Sequence, residues 1–145
     1  MKFAVIGLAL LAAPPALAAD GAVAGSWRVS GVVSGFKFEL RCVFQQSGER
    51  LTGACTDLAT NNPKAPPKSA PHPLTRGSAS SGKVAWTYQS SFLLSKFDVD
   101  FSGALSGDRM SGAILAGGRS GSFTAHREQG SRCCFQEGCS PAAMV

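Results

Sequence analysis

The feature that most restricts the fold is an alternation of apolar and polar residues between Phe36 and Phe44, in which only Val43 departs from the polar set. Residues of even number in this stretch are apolar, and they are Phe36, Phe38, Leu40, Cys42 and Phe44. A period of two is typical of a β-strand with one buried and one solvated face. The chain downstream of residue 25 has almost no helical periodicity, so we predict an all-β fold.

Short turns on either side of this strand predict its register with both neighbours. With Ser34-Gly35 as a two-residue loop, the apolar residues of the preceding strand fall opposite Phe36, Phe38, Leu40 and Cys42. With Gly48-Glu49 as the next loop, Cys42 falls directly opposite Cys55. Facing residues on antiparallel strands are close enough for a disulfide. The sequence therefore predicts a Cys42–Cys55 bridge.

The same turn arithmetic extends along the chain and places four glycines opposite aromatic residues. These pairs are Gly31/Phe38, Gly53/Phe44, Gly77/Trp86 and Gly112/Phe123. An aromatic ring over a strand glycine covers backbone and permits strong bending. The predicted strands are 26–33, 36–46, 51–57, 75–80, 83–91, 95–105, 110–116 and 119–127. We predict an eight-stranded antiparallel up-and-down meander that closes into a small barrel, because closure removes both sheet edges.

The 145 residues divide into four parts by composition. Residues 1–18 have a basic start, an apolar run and a small-residue cleavage signal, which predict a signal peptide cut near Ala18 or Ala19. The protein is then expected in the periplasm or secreted. Residues 19–127 form the predicted barrel domain, interrupted by a proline-rich loop over 58–74 that we place outside the meander. Residues 128–145 form a cysteine-containing tail.

The tail holds the cysteines that the barrel does not pair. In an oxidising compartment, oxidation is the default for Cys133, Cys134 and Cys139. Either Cys133 or Cys134 can close a small loop with Cys139, and the pairing stays open. The odd thiol leads to the hypothesis of a disulfide-linked dimer. The spacing lacks that of a zinc half-site, so we predict no metal and no cofactor.

The sequence favours no catalytic site. His72 and His126 have no located nucleophile or orienting partner, and the common hydrolase, phosphate-loop and zinc-protease motifs are missing. Asp98 and Asp100 share the solvated outer face. We therefore predict no catalytic residues and a protein that is not an enzyme. The net charge of +5 includes no run of basic residues, so no nucleic-acid partner is expected. No second apolar run reaches transmembrane length and the outer face is polar, so no membrane span is expected.

Trp27 and Arg127 are predicted to meet at one end of the closed barrel, where the first strand begins and the last strand ends. A guanidinium over an indole forms a cation–π interaction, and this pair would close that end of the barrel as a plug. Gly25-Ser26-Trp27 matches a G-x-W pattern, and with the closing Arg127 the sequence resembles the calycin superfamily of lipocalin and avidin-like barrels. The resemblance implies a barrel that often holds a small apolar ligand at its open end. It does not imply biotin binding, since that family's binding-site tryptophans are not evident.

Three functional hypotheses remain. The first is a non-catalytic module that binds a small apolar or amphipathic molecule, with the loop 58–74 as a lid over the mouth. Its candidate ligand-binding residues are Phe38, Phe44, Trp86, Tyr88 and Phe101. The second is a protein–protein module, such as a protease inhibitor, acting through the loop 58–74 or through the N-terminal residues Ala19 to Gly25. The leader, the early G-x-W and the paired cysteines resemble small periplasmic metalloprotease inhibitors, although the cysteine spacing here is tighter. The third is an envelope protein with a packed core and no ligand.

Overall fold

The computed structural model describes residues 22–64, 71–92 and 94–129. It is an all-β barrel, as predicted. The strands are β1 (Gly25–Val33), β2 (Phe36–Ser47), β3 (Arg50–Thr60), β4 (His72–Ser80), β5 (Lys83–Phe92), β6 (Ser95–Ser106), β7 (Arg109–Ala116) and β8 (Arg119–Arg127). Each strand pairs antiparallel with the next, and β8 pairs with β1 to close the barrel. Within the described ranges, no helix is long and apolar enough to cross a membrane.

Several predictions fall on parts of the chain outside the described residues. The signal peptide over 1–18 is one of them, and the centre of the proline-rich loop, 65–70, is another. The tail cysteines Cys133, Cys134 and Cys139 also lie there, and so does any dimer formed through them.

The register around the second strand is the one that the turns predict. Val33 faces Phe36 across the first turn. Cys42 faces Cys55 across β2 and β3, and the two are joined in a disulfide. Both cysteines are fully buried. All four predicted glycine–aromatic pairs are present in the strand registers. Where the registers are regular, the alternation pattern therefore fixes which side chains enter the barrel.

The prediction that residues 58–74 lie wholly outside the meander is wrong at both ends. β3 continues to Thr60, and β4 begins at His72 and contains Pro73. Proline lacks the backbone N–H of a strand ladder, which confines it to edges and irregular pairings. Pro73 faces Ala54 where the β3–β4 ladder is sparse and shifts register. The interrupted ladder therefore accommodates a proline that a regular central strand would exclude.

The two ends of the barrel differ. We call the end that carries the β1–β2, β3–β4, β5–β6 and β7–β8 connections the open end, and the opposite end the closed end. The half toward the closed end is filled by an aromatic cluster. Trp86 stacks on Phe101 with ring centroids 4.6 Å apart, and Phe44 and Phe123 pack edge-on against Trp86 at 5.1 and 5.3 Å. All four are at most 2% exposed.

Trp27 and Arg127 cover the closed end. They face each other across β1 and β8, and the guanidinium carbon lies 4.4 Å from the centre of the indole. Arg127 also donates to the carbonyl oxygens of Ala22 and Ala24, and the Trp27 indole N–H donates to the carbonyl of Val23 at 2.8 Å. The segment before β1 is thus tied across the barrel end by hydrogen bonds to both side chains.

Glu128, directly after β8, links the end of the last strand to side chains of β1 and β2 on the outer face of the barrel. Its carboxylate accepts hydrogen bonds from Arg41 at 2.8 Å, Ser26 at 2.8 Å and Arg28 at 3.2 Å. The hydrogen bonds from Arg41 and Ser26 are the main reason that the pKa of Glu128 falls from its ordinary 4.5 to about 2. A carboxylate that must be ionised to make these bonds stabilises the closed barrel only while it stays charged.

Glu128→Gln is expected to alter the acid side of the stability profile. A lowered pKa in the folded state gives stabilisation that is complete above the unfolded-state pKa and is lost as the pH falls through the folded-state value. The variant should be less stable than the wild type at neutral pH. The difference should shrink below about pH 4.5 and vanish near about pH 2. Urea unfolding at a series of pH values measures this, and a difference that stays constant across that acid range would contradict the assignment.

Candidate functional site

A cavity of about 750 Å³ occupies the open half of the barrel, above the aromatic cluster. Its volume lies in the range of about 300–1,000 Å³ that is usual for small-molecule sites. The closed half holds packed side chains, so the interior is divided into a filled base and a hollow mouth. The structure thus combines two features that the sequence left as alternatives, a packed core and an internal space.

The walls of the cavity are mainly apolar. Inward-facing side chains from β1, β2, β6 and β7 form them: Val33, Phe36, Phe38, Leu40, Phe97, Val99, Ile114 and Ala116. They come from alternate positions on each strand, because side chains of one parity share a face. Such a surface favours an apolar or aromatic group and excludes an isolated charge.

Asp57, His72 and Tyr88 form a polar corner in this otherwise apolar interior. The His72 Nε2 lies 3.1 Å from the Asp57 Oδ2, within hydrogen-bond distance. The His72 ring stacks on that of Tyr88 with centroids 5.0 Å apart and planes 17° apart. Asp57 and Tyr88 line the cavity directly. Stacking between His72 and Tyr88 fixes the plane of the phenol that faces the cavity.

Tyr88 brings a hydroxyl group to the cavity wall. Tyr88 is 5% exposed, and none of the hydrogen bonds made by the described side chains involves its hydroxyl. Burial, and secondarily the Asp57 carboxylate, raise the pKa of Tyr88 above its ordinary value. The phenol therefore stays protonated at neutral pH and can donate to a ligand acceptor.

Two irregularities bring the polar corner together. The register of β2 with β3 shifts next to Leu40, which faces Asp57. The register of β4 with β5 shifts between Leu74 and Arg76. Each shift inserts a residue into the alternation, as a β-bulge does, and bulges often re-aim side chains next to binding sites. His72 was assigned to the proline-rich loop from the sequence and was missed as a site residue. Asp57 shares the inward parity of Cys55, so the alternation could have found it.

Basic residues surround the apolar walls. Lys37, Lys64 and Arg119 are among the lining residues, and Asp57 is the acidic one. Part of the proline-rich segment also lines the mouth, through Thr60, Asn62 and Pro63. The predicted lid over 58–74 depends on residues 65–70, which lie outside the described residues.

The five aromatic residues singled out from the sequence separate into two groups. Phe38 and Tyr88 line the cavity. Phe44, Trp86 and Phe101 lie below it in the packed cluster. The indole N–H of Trp86 has no hydrogen-bond acceptor in the described part of the chain. Parity places all five inside the barrel, but depth along the barrel axis decides which of them reach the cavity.

No group of three or more His, Cys, Asp or Glu side chains that could hold a metal is found among residues 22–64, 71–92 and 94–129. The polar corner supplies one carboxylate and one imidazole, which is fewer than the three protein ligands of a usual catalytic zinc site.

No family model and no curated protein matches the sequence. Solved structures do match the fold. A redesigned β-barrel, mFAP1, bound to DFHBI, aligns with a TM-score of 0.56 and 13% identity over 72% of this chain and 94% of that one. A second structure, a de novo designed fluorescence-activating β-barrel, aligns with a TM-score of 0.51 and 18% identity over 75% of this chain and 98% of that one. These likenesses support the small barrel fold.

Proposed function

We propose that this protein is a non-catalytic binding module that holds one small apolar or amphipathic molecule in the open half of its barrel. The observation that carries the proposal is the mainly apolar cavity of about 750 Å³ with Tyr88, a polar-tipped side chain, on its wall. Apolar walls with a few placed polar groups are typical of small-molecule sites. The walls would bury the apolar part of the ligand, and Tyr88 would donate to an acceptor on it.

Two further points support the same role. mFAP1, a barrel of similar fold, is bound to the small molecule DFHBI. The G-x-W at the head of β1 and the closing Arg127 also resemble the calycin pattern, in which the interior often carries a ligand. We further propose that the chain acts outside the cytoplasm, in keeping with its predicted signal peptide and its buried Cys42–Cys55 disulfide.

A matched pair of substitutions on β7 tests the cavity. Ala116 lines the cavity, whereas Ala113 is exposed on the outer face of the same strand. Ala116→Phe is expected to fill the mouth and weaken binding of anilinonaphthalene sulfonate, an amphipathic fluorescent probe, by at least about tenfold, since the added ring occupies the space. Ala113→Phe adds the same ring outside the barrel and should bind the probe like the wild type.

Fluorescence titration measures the affinity of the wild type and of the two variants for the probe. Thermal unfolding checks that each protein is folded. Equal probe binding by all three would overturn the proposal, because the probe would then sit elsewhere. Binding lost equally in both variants would contradict it as well.

A further inference from the structure

Large apolar side chains are exposed mainly around the mouth of the barrel. Leu94 is completely exposed in the β5–β6 turn, and Phe92 beside it is 39% exposed. Phe36 follows the β1–β2 turn directly. Val32 and Leu115 lie close to the β1–β2 and β7–β8 turns on the outer wall and are also exposed. Among the large hydrophobics exposed in the described residues, Val43 alone lies toward the closed end, opposite Ser26 and Ala54.

The same end is positively charged. The chain segments around the open-end connections, 33–37, 59–64, 90–96 and 116–120, contain no Asp or Glu. They carry Lys37, Lys64, Lys96 and Arg119. Acidic residues near this end have basic neighbours: Glu39 pairs with Arg28 on the outer wall, Asp57 with His72 at the cavity, and the exposed Asp98 lies 3.9 Å from Arg76. The closed end, in contrast, mixes Glu49, Asp108 and Glu128 with its basic residues.

We propose that the open end docks on the surface of an anionic lipid bilayer. Leu94 would enter the headgroup region together with Phe36 and Phe92, which are partly exposed and stand at the rim of the cavity that they also line, while the surrounding cations contact lipid phosphates. Apolar side chains combined with basic residues are the composition that binds anionic interfaces. The apolar groups stand on separate turns around the mouth rather than in one groove, so each can enter a fluid headgroup layer by itself. This arrangement favours a lipid surface over a folded acidic partner.

The docking would turn the mouth of the cavity toward the bilayer. An amphipathic molecule could then pass between the membrane and the barrel without crossing bulk water, where transfer of its apolar part is unfavourable. The docking itself does not depend on an occupied cavity. Its failure is therefore distinguishable from that of the proposed ligand binding, since Ala116→Phe should lose the probe and keep the membrane interaction.

Vesicle flotation tests the docking surface. The wild type should float with vesicles of phosphatidylglycerol and phosphatidylcholine and should not float with pure phosphatidylcholine. Added salt should weaken the binding, because the charge contribution is screened. The double variant Phe92→Ser with Leu94→Ser should bind at least about tenfold more weakly, since it removes two inserted apolar groups. Lys96→Gln, whose side chain lies outside the cavity lining, should also bind more weakly.

Two control variants match these changes at the closed end. Val43→Ser removes an apolar side chain that is 50% exposed on the wall, and Lys83→Gln removes an exposed charge directly after the β4–β5 turn. Both should float like the wild type. Loss of flotation in the controls to the same degree, or equal flotation with both vesicle types, would overturn the proposal. Retention of the wild type on a polyglutamate matrix without any flotation would assign the surface to an acidic protein and would overturn it too.

Discussion

Gly53→Ala is expected to lower the free energy of unfolding by about 4 kcal/mol, the largest effect of any single substitution proposed for this barrel. Gly53 has a φ of +137°, a conformation that side chains rarely adopt. A Cβ there would stand 1.9 Å from the carbonyl oxygen of Val43 on the neighbouring strand. The carbonyl oxygen belongs to the backbone and cannot turn away as a side chain can. To relieve the clash, β2 and β3 would have to separate close to the Cys42–Cys55 disulfide and to Phe44.

Gly48→Ala is the matched control for this substitution. Gly48 also has a positive φ, +57°, but a Cβ there meets nothing within 4 Å. Only the conformational strain remains, which is about 1 kcal/mol. Urea unfolding followed by tryptophan fluorescence compares the two. If both variants lose the same stability, the clash between a Cβ at residue 53 and the backbone of β2 is not the reason that this position requires glycine.

Removing the disulfide with Cys42→Ala and Cys55→Ala together is expected to destabilise the barrel by about 3 kcal/mol. The bridge joins residues 13 apart, and closing a loop of this size restricts the unfolded chain. Both side chains are also fully buried, so the loss includes core packing. The two positions lie in the middle of the β2–β3 ladder, and for this reason the change should affect the whole barrel rather than one end.

The comparison is best made with Cys133, Cys134 and Cys139 replaced by serine in both proteins, which removes disulfide exchange with the tail. Chemical denaturation then gives the difference in the free energy of unfolding. Equal stability with and without the Cys42–Cys55 pair would contradict a stabilising role for the bridge.

Hairpin register was predictable because its determinants are local. Turns such as Ser34-Gly35 and Gly48-Glu49 fix which residues face each other, and a one-residue slip would send Phe38 and Phe44 to solvent. Ser34 and Gly35 both have positive φ, as a tight hairpin turn of this kind requires. The facing of Cys42 and Cys55 follows from the same counting, whereas the meeting of Trp27 with Arg127 follows from their inward parity and the closure of the barrel.

The candidate site was less predictable, for two physical reasons. The rule that alternate residues share a face fails where a register shift inserts an extra residue into a strand. Such shifts place His72 and Leu74 inside the barrel. Alternation also gives the face of a side chain but not its depth. Phe38 and Phe101 have the same inward parity, yet one lines the cavity and the other belongs to the packed cluster. Depth depends on strand tilt and on the volume of neighbouring side chains, which are properties of the closed barrel.

The central claim is that the cavity at the open end carries a small molecule, and native mass spectrometry tests it most directly. The protein should be purified under mild conditions from the organism that encodes it, beside the Ala116→Phe variant prepared in the same way. We expect the wild type to carry one additional small mass that is released at higher collision energy. The variant should be detected without this added mass. Wild-type protein that shows only the mass of its own chain, or the same added mass on both proteins, would contradict the claim.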